Sequence, residues 1–495
     1  LTATRLTPPP FAGTLGSSIK RIAGMKRYEQ LAADISAQIH AGVLRPGDRI
    51  PSVRKTSLAR SISPGTVLQA YSLLEDRGEI HTRPRSGYYV SAHWHGLPEE
   101  PALSRPPKRS SSVNVSGLVF EVLEAAKNKG TIPLGSAFPA PTLFPMEKLA
   151  RSLTASMKPL DPWVTVANLA PGSAELRRQI ARGYLDAGLT VPSAEIVITS
   201  GALEALNLCL MAVTRPGDVV AVESPAFYAS LQAIERLGLK AVEIPTDPRE
   251  GVNLVALAAV LKKHDIKACW FMTNFQNPLG CLMPDENKKE LVRLLAHHGV
   301  PLIEDDVYGE LYFGGERPRP AKSFDRSGMV MHCGSFSKCL APGYRVGWVA
   351  AGKFARQVEQ LKLSTTLSAS IPAQMAIADY LKHGGYQHHL RKLRHALMVQ
   401  QNQLLQALAT HFPRDVRISR PKGGYFLWVE LPSSVDTLKL HGLAMEQQIS
   451  LAPGPMFSGQ RKYANCLRLN YGHPWSPKLE AAIARLGTLI GTLKK

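Results

Sequence analysis

One stretch of this chain has no apolar rhythm at all, and it decides what the rest can fold into. Residues 92–118, which include PEEPALSRPPKRSSSVNVSG, carry proline, serine and charge without apolar periodicity. They read as a linker, partly extended around its prolines. A chain interrupted in this way folds as tethered units rather than around one core. Its 495 residues, at about 150 per domain, make roughly three structural units. With 44% hydrophobic and 20% charged residues each unit can bury a sizeable core, which excludes collagen-like and wholly disordered chains. No run approaches the ~18 consecutive apolar residues of a membrane span, and the N-terminus lacks the basic and apolar regions of a signal peptide. Neither secretion nor a membrane partner is expected.

Lys plus Arg outnumber Asp plus Glu by 59 to 39, a net charge of +20, which brings polyanions forward as partners beside the plainer reading of a basic surface. Cys209, Cys269, Cys281, Cys333, Cys339 and Cys466 form no C-x-x-C pair and lie far apart. That spacing argues against a zinc site or a disulfide framework and suits a reducing cytoplasm. Residues 1–24 are rich in Thr, Pro, Gly and Ser, and a periodic helix begins straight after Met25. The expectation is a disordered extension over 1–24 with the native start at Met25.

Ahead of the linker, residues 25–91 follow a distinct pattern. Leu31, Ile35 and Ile39 recur at every fourth position up to Gly42, the stripe of an amphipathic helix, and Pro46 and Gly47 then force a turn. A second short helix is expected over 52–60. Ser63 reads as an N-cap with Pro64 at the first helical position, and Val67, Ala70, Tyr71 and Leu74 give that third helix its apolar stripe. Residues 80–83 and 88–90, joined by a turn over 84–87, read as a two-stranded hairpin, a wing beside the helices. Helix, short turn, helix is a geometry that docks in the DNA major groove. The module holds ten Lys/Arg and six Asp/Glu, so only +4 of the excess charge lies here.

GVLRPGDRIPSVR, SPGTVLQAYSLLEDRGEI and RPRSGYYV occur in order, and through them residues 26–91 resemble the winged helix-turn-helix of GntR-type regulators. The resemblance implies that Arg54, Ser63 and Thr66 reach DNA, with Arg83 and Arg85 at the wing. Arginine suits phosphates and guanine edges, and the hydroxyls reach phosphate or base; for any single arginine a solvated helix surface is the competing reading. The chain departs from the family in having Pro64 where some members place a basic residue and Ser61 where glycine often stands.

Beyond the linker, over 119–495, strand-like runs (EIVITS, VVAVES, ACWFMTN, VPLIEDD) alternate with helical stretches. The expected class is α/β with a mostly parallel sheet. Ligands bind such sheets at the carboxyl ends of strands, where Ser200, Glu223, Asn277 and Asp305 fall at or just beyond the ends of their runs. GSFSKCLAPGYRVGWVA sets Lys338 among small and hydroxyl residues with Arg345 seven positions on. A lysine in a desolvated, cation-lined pocket loses its proton readily and can form a Schiff base, although a lone lysine is more often on the surface.

TSGALEAL, ESPAFY, NPLG, EDDVY, SFSK, APGYRVG and CLRLNYG also occur in order. Through them residues 130–475 resemble the fold-type I aminotransferases, with a smaller C-terminal subdomain over about 386–495. The resemblance implies pyridoxal 5'-phosphate bound as an aldimine on Lys338. Asp305 would pair with the ring nitrogen, with an N-cap or loop acid as its alternative role. Asn277 and Tyr308 would meet the ring hydroxyl. Gly201, Ala202, Ser335, Ser337 and Arg345 would hold the phosphate, aided by the helix that Gly201 opens. Phe227 would stack on the ring, with a core phenylalanine as the alternative and Tyr228 as its rival. Arg468 would grip a carboxylate with its planar fork. Here too the chain departs from the family: Tyr308 stands three residues after the aspartate rather than two, Ala137 replaces a common glycine, and NLAPGSAELR lacks a tyrosine before its glycine.

The two resemblances joined by a linker are the architecture of the MocR subfamily. They imply a cytoplasmic, homodimeric regulator of promoter DNA that senses the cofactor or its aldimine with an amino acid or amine. The alternatives are a working aminotransferase with an accessory DNA-binding module, and a DNA-binding protein whose large domain only dimerises.

Overall fold

The computed structural model describes residues 26–45, 47–76, 78–83, 86–91, 98–106, 109–125, 130–158, 160–383 and 385–494. The expected extension over 1–24 and Arg85 at the wing lie outside the described residues. The chain splits into two compact units, one within residues 1–94 and one within 95–495.

In the smaller unit the sequence pattern becomes three helices and a hairpin. Helix α1 (Arg27–His40) opens with the Lys26 backbone N–H donating to Glu29 Oε2 at 2.9 Å and buries Leu31, Ile35 and Ile39. Helix α2 (Val53–Arg60) is capped by Ser52 Oγ, which accepts from Lys55 N. It ends on Ser61, whose φ of 52° is left-handed; glycine adopts that conformation without steric cost, which accounts for the glycine the family often has there. Helix α3 (Pro64–Asp76) is capped by Ser63 Oγ, which accepts from Thr66 N at 3.1 Å. Its Val67, Ala70, Tyr71 and Leu74 are wholly buried. Tyr71 ties α2 to α3: its hydroxyl donates to Pro51 O at 2.7 Å and takes that of Thr56 at 2.6 Å. Strands β1 (Ile80–Arg83) and β2 (Gly87–Val90) pair antiparallel as the wing.

The larger unit is built on one mixed sheet. Its strands are β3 (Ser111–Ser112), β4 (Ile196–Thr199), β5 (Val219–Ser224), β6 (Lys240–Asp247), β7 (Gly251–Val252), β8 (Ile266–Phe271), β9 (Leu302–Asp305), β10 (Val330–Ser335) and β11 (Gly347–Ala350). They lie in the order β3-β6-β5-β8-β9-β10-β11-β4, with β7 paired to β6. The run from β6 to β10 is parallel, and β11 is antiparallel to both neighbours. Both faces are covered. In β8, Ala268 and Trp270 join one core while Cys269 and Phe271 join another, the alternation of a sheet buried on both sides. A second antiparallel sheet near the C-terminus, of β12 (Arg417–Ile418), β13 (Phe426–Glu430), β14 (Ala452–Pro453) and β15 (Cys466–Asn470), runs in the order β12-β13-β15-β14.

Of the residues expected as linker, 98–106 and 109–118 belong to the larger unit. β3 pairs with β6 at the sheet edge, and Ser104 Oγ donates to Ser224 O while accepting from Thr246 N. Glu235 takes the backbone N–H groups of Val115 and Ser116. An unpaired edge strand needs cover, and a segment with no apolar period can supply it through its backbone. All six cysteines are buried and unpaired. Among the described residues no helix is long and apolar enough to cross a membrane.

Candidate functional site

Four parallel strands point their carboxyl ends at one cavity of about 770 Å³. β9 delivers Asp305. β10 delivers Ser335, and the turn after it Ser337 and Lys338. The segment after β5 brings Phe227, and the helix after β4 (Ala202–Val213) brings its first residue. Tyr308 and Arg345 complete the group, so eight of the expected cofactor residues line this space. Gly201, Asn277 and Arg468 are not among its lining residues but touch those that are or hold one another.

Asp305 is wholly buried, and neither carboxylate oxygen has a hydrogen-bond partner. Burial pushes its carboxyl up to about 7. Lys338 enters the same space. Its amine donates to Ala137 O at 2.9 Å and sits 3.7 Å above the Phe138 ring. Burial first, then the charges of Arg468 and Arg345, bring it down to about 7. An acid and a base thus lie in one cavity, both displaced toward neutrality mainly by the same loss of water.

The far wall is organised by Arg468 on β15. It is wholly buried, donating to Asn277 Oδ1 at 3.0 Å and to the carbonyls of Gly135 and Ser136, with its guanidinium 4.0 Å over the Phe426 ring. Its Nε and the Asn277 Nδ2 remain without partners. Tyr308 packs edge-on against Tyr425 at 5.4 Å, and burial raises its phenol. Phe227 lies 4.9 Å from Tyr228.

A small cup closes the opposite end. Ser337 N donates to Ser335 Oγ at 3.0 Å, and Arg345 Nη1 donates to Ser337 Oγ at 3.1 Å. Gly201, at φ 95°, precedes the Ala202–Val213 helix, and a Cβ there would fall inside the Arg345 guanidinium. The cup therefore joins a helix N-terminus, two hydroxyls and a guanidinium, the equipment of an anion site.

Two residues marked out by their place at strand ends do other work. Ser200 N donates to Glu204, which pairs with Lys362, so Ser200 anchors a helix. Glu223 is buried and accepts from Met272 N at 3.0 Å outside the cavity, its carboxyl raised by burial. Sequence reading missed Tyr425, which donates to the same Ala137 carbonyl as Lys338, at 3.1 Å. Nothing local signals a meeting between residues 137, 338 and 425.

In the smaller unit Arg54 and Ser63 are exposed at the starts of α2 and α3, and Thr66 is half-buried, its Oγ1 2.8 Å from Ser63 Oγ. Arg83 closes β1 opposite Gly87. Gln69 and Ser72 are exposed on α3 and were not singled out from sequence. The Arg49 side chain lies against Gly87 of the wing.

A winged three-helix unit and a mixed α/β unit with a lysine–aspartate cavity define a two-part protein class, and comparison gives it a family. The profile of bacterial regulatory proteins of the gntR family matches residues 27–90, and that of aminotransferase class I and II matches 168–486. The "uncharacterized HTH-type transcriptional regulator YdcR" of Escherichia coli is 48% identical over 94% of this chain and 99% of its own length. The "uncharacterized HTH-type transcriptional regulator YjiR" of the same organism is 39% identical over 94% of this chain and 99% of its own length. The structure of LysN, the alpha-aminoadipate aminotransferase of Thermus thermophilus, complexed with N-(5'-phosphopyridoxyl)-L-leucine, covers 76% of this chain and 95% of its own at 31% identity, with a TM-score of 0.70.

The chain belongs to the aminotransferase class I and II family and carries a gntR-family domain ahead of it, the architecture of the MocR subfamily. It is a GntR-type DNA-binding regulator with a fold-type I aminotransferase domain. Pyridoxal 5'-phosphate, the cofactor of that family, fits the cavity. The unpartnered Asp305 carboxylate suits a protonated ring nitrogen, the unpartnered Asn277 amide suits a ring oxygen, and the cup suits a phosphate.

Proposed function

We propose that this regulator binds pyridoxal 5'-phosphate through Lys338, senses an amino acid or amine at that site, and answers by changing how a homodimer engages promoter DNA in the cytoplasm. The observation that carries the reading is the buried, unpartnered Asp305 carboxylate in the cavity of Lys338, on a chain that also bears a winged helix. The cofactor supplies an aldehyde that bonds amines covalently and a ring that accepts electrons.

The chain's own residues supply the rest. Asp305 would keep the ring nitrogen protonated. Asn277 and Tyr308 would orient the ring from one edge, and Phe227 would cover its face. Ser335, Ser337, Arg345 and the N–H groups at Gly201 and Ala202 would hold the phosphate. Arg468, held in place by Asn277, would take an effector carboxylate. Lys338 would carry the cofactor and move a proton. On α2 and α3, Arg54, Ser63 and Thr66 would meet DNA, with Arg83 and Arg85 at the wing; Gln69, exposed on the same helix, has the amide that pairs with adenine.

An effector can shift DNA binding only by preferring one arrangement of the dimer. Fluorescence anisotropy on promoter DNA tests this directly: affinity or stoichiometry is expected to change when the cofactor and an amino acid are added, and identical curves would refute the coupling. A second reading, turnover as an aminotransferase, is favoured by Lys338 and Asp305 lining one cavity, where burial and the charges of Arg468 and Arg345 bring the lysine amine down to about 7. Keto acid released from an offered amino acid, and absent in Lys338→Ala, would establish it.

A further inference from the structure

Among the described residues a second cavity stands apart from the cofactor cavity. A cleft of about 830 Å³ opens between the Ala174–Asp186 helix, residues 310–319 and the Gly385–His411 helix, and shares no lining residue with the cofactor cavity. Its wall is aromatic, formed by Tyr184, Phe336 and Trp348, with the last two rings 4.9 Å apart. Its rim is basic. Arg182, Arg319 and Lys382 are exposed there and form no salt bridge among the described residues, and with Arg317 and Arg394 they outnumber the acids Asp186, Glu310 and Glu316 in the same lining. An aromatic wall under a rim that carries three cations outside any ion pair suits an aromatic ring bearing a carboxylate.

The wall is also wired toward the cofactor site. Trp348 Nε1 donates to Tyr184 OH at 2.9 Å, and Tyr184 OH lies 2.7 Å from His332 Nδ1. A tyrosine that accepts from the indole donates its own proton onward. That proton can pass to His332 Nδ1, and the other ring nitrogen, Nε2, lies 3.0 Å from Asp306 Oδ2. Arg317, also in the cleft, reaches the same Oδ2 at 3.2 Å. Burial works against ionisation of Asp306, but His332, Arg317 and Asn274 together hold its carboxyl below the usual range. Asp306 is the chain neighbour of Asp305, and its charge raises that carboxyl.

We propose that this cleft is a second small-molecule site, for an aromatic carboxylate, whose occupancy is transmitted to Asp305 through the Trp348–Tyr184–His332–Asp306 chain. The transmission half rests on the cofactor reading above; the binding half does not. The site is tested first in cofactor-free protein, by calorimetry with 4-hydroxybenzoate. A dissociation constant tighter than about 1 mM is expected. No binding at that level overturns the site.

Gly183 faces the cleft, and a Cβ there meets nothing within 4 Å, so Gly183→Leu fills the space without strain in the helix. That variant and the Arg182→Ala/Arg319→Ala pair should each weaken binding about tenfold or more, whereas Arg468→Ala should leave it unchanged. Binding lost in Arg468→Ala, or kept in both cleft variants, overturns the assignment. Repeating the titration on cofactor-loaded protein reads the transmission, because coupling between two ligands is reciprocal. A change of about threefold or more is expected, reduced to nothing in Tyr184→Phe with binding retained. Equal affinity in loaded and free protein would leave a site with no line to Asp305 and would overturn that half alone.

Discussion

Asp305 and Lys338 give the cofactor-free protein an unusual dependence on pH. Asp305 titrates at about 7 in the fold against 3.8 in a free chain. It favours folding while protonated; that contribution is whole below about pH 4 and is lost as the pH climbs to about 7, on the order of 4 kcal/mol. Lys338 titrates at about 7 against 10.5. It favours folding while neutral, and its contribution, whole above about pH 10, is lost as the pH falls toward 7. The pair together carve a trough of stability near neutrality. Melting temperatures across pH 4–10 should show it in the cofactor-free protein. Asp305→Asn should remove the acid-side slope and Lys338→Met the alkaline one; profiles of all three that run parallel would refute the assignment. Both residues were legible in the sequence because each ends a strand-like run or sits in a motif. The carbonyl of Ala137, which accepts from Lys338 and Tyr425 alike, was not, since a backbone acceptor has no residue type to betray it.

Among the elements, the turn from β4 into its helix is the least forgiving. Gly201 holds φ 95°, leaves no room for a Cβ beside Arg345, and is itself crowded by Gly347, whose own Cβ would lie 2.6 Å from the Gly201 carbonyl carbon. Gly201→Ala should displace the Arg345 fork and weaken cofactor binding about tenfold or more, read by fluorescence titration. The end of α2 predicts the opposite sign. Ser61 holds a left-handed conformation there, so Ser61→Gly should stabilise the smaller unit by up to about 1 kcal/mol, whereas Ser63→Ala, which removes the α3 cap, should cost it about 1 kcal/mol. Denaturant melts followed at the winged unit separate the two. The helices of this unit were readable from the sequence to within a residue or two because their apolar stripes and caps agree. The stretches 98–106 and 109–118 were not: they reach the larger unit through backbone groups, Ser104 and the buried Val113 and Val115, too few apolar residues to set a period among the prolines and charges.

For the whole molecule, the winged unit's +4 is a small share of the +20. DNA affinity should fall with a log–log salt slope set by the phosphates it neutralises, about −0.9 for each. Removing Arg54 should reduce that slope by about 1 and weaken all sequences alike. Arg468→Ala should keep the cofactor but lose capture of amino acids by about a hundredfold, so any response of DNA binding to an amino acid should vanish while the response to the cofactor remains. The two-unit division and the α/β class were legible because the hydrophobic period changes across the linker. The second cleft was not, because its walls come from several distant segments brought together only by folding.

The burial of every sulfhydryl in the chain has a practical consequence at this same scale. A cysteine introduced at an exposed position, such as Gln69 on α3 or Val255 on the larger unit, would be the sole ready target for a maleimide dye, with no need to strip the native thiols first. One dye on each unit then becomes a ruler, and the separation it reports can be followed in real time as an amino acid is added to the loaded regulator.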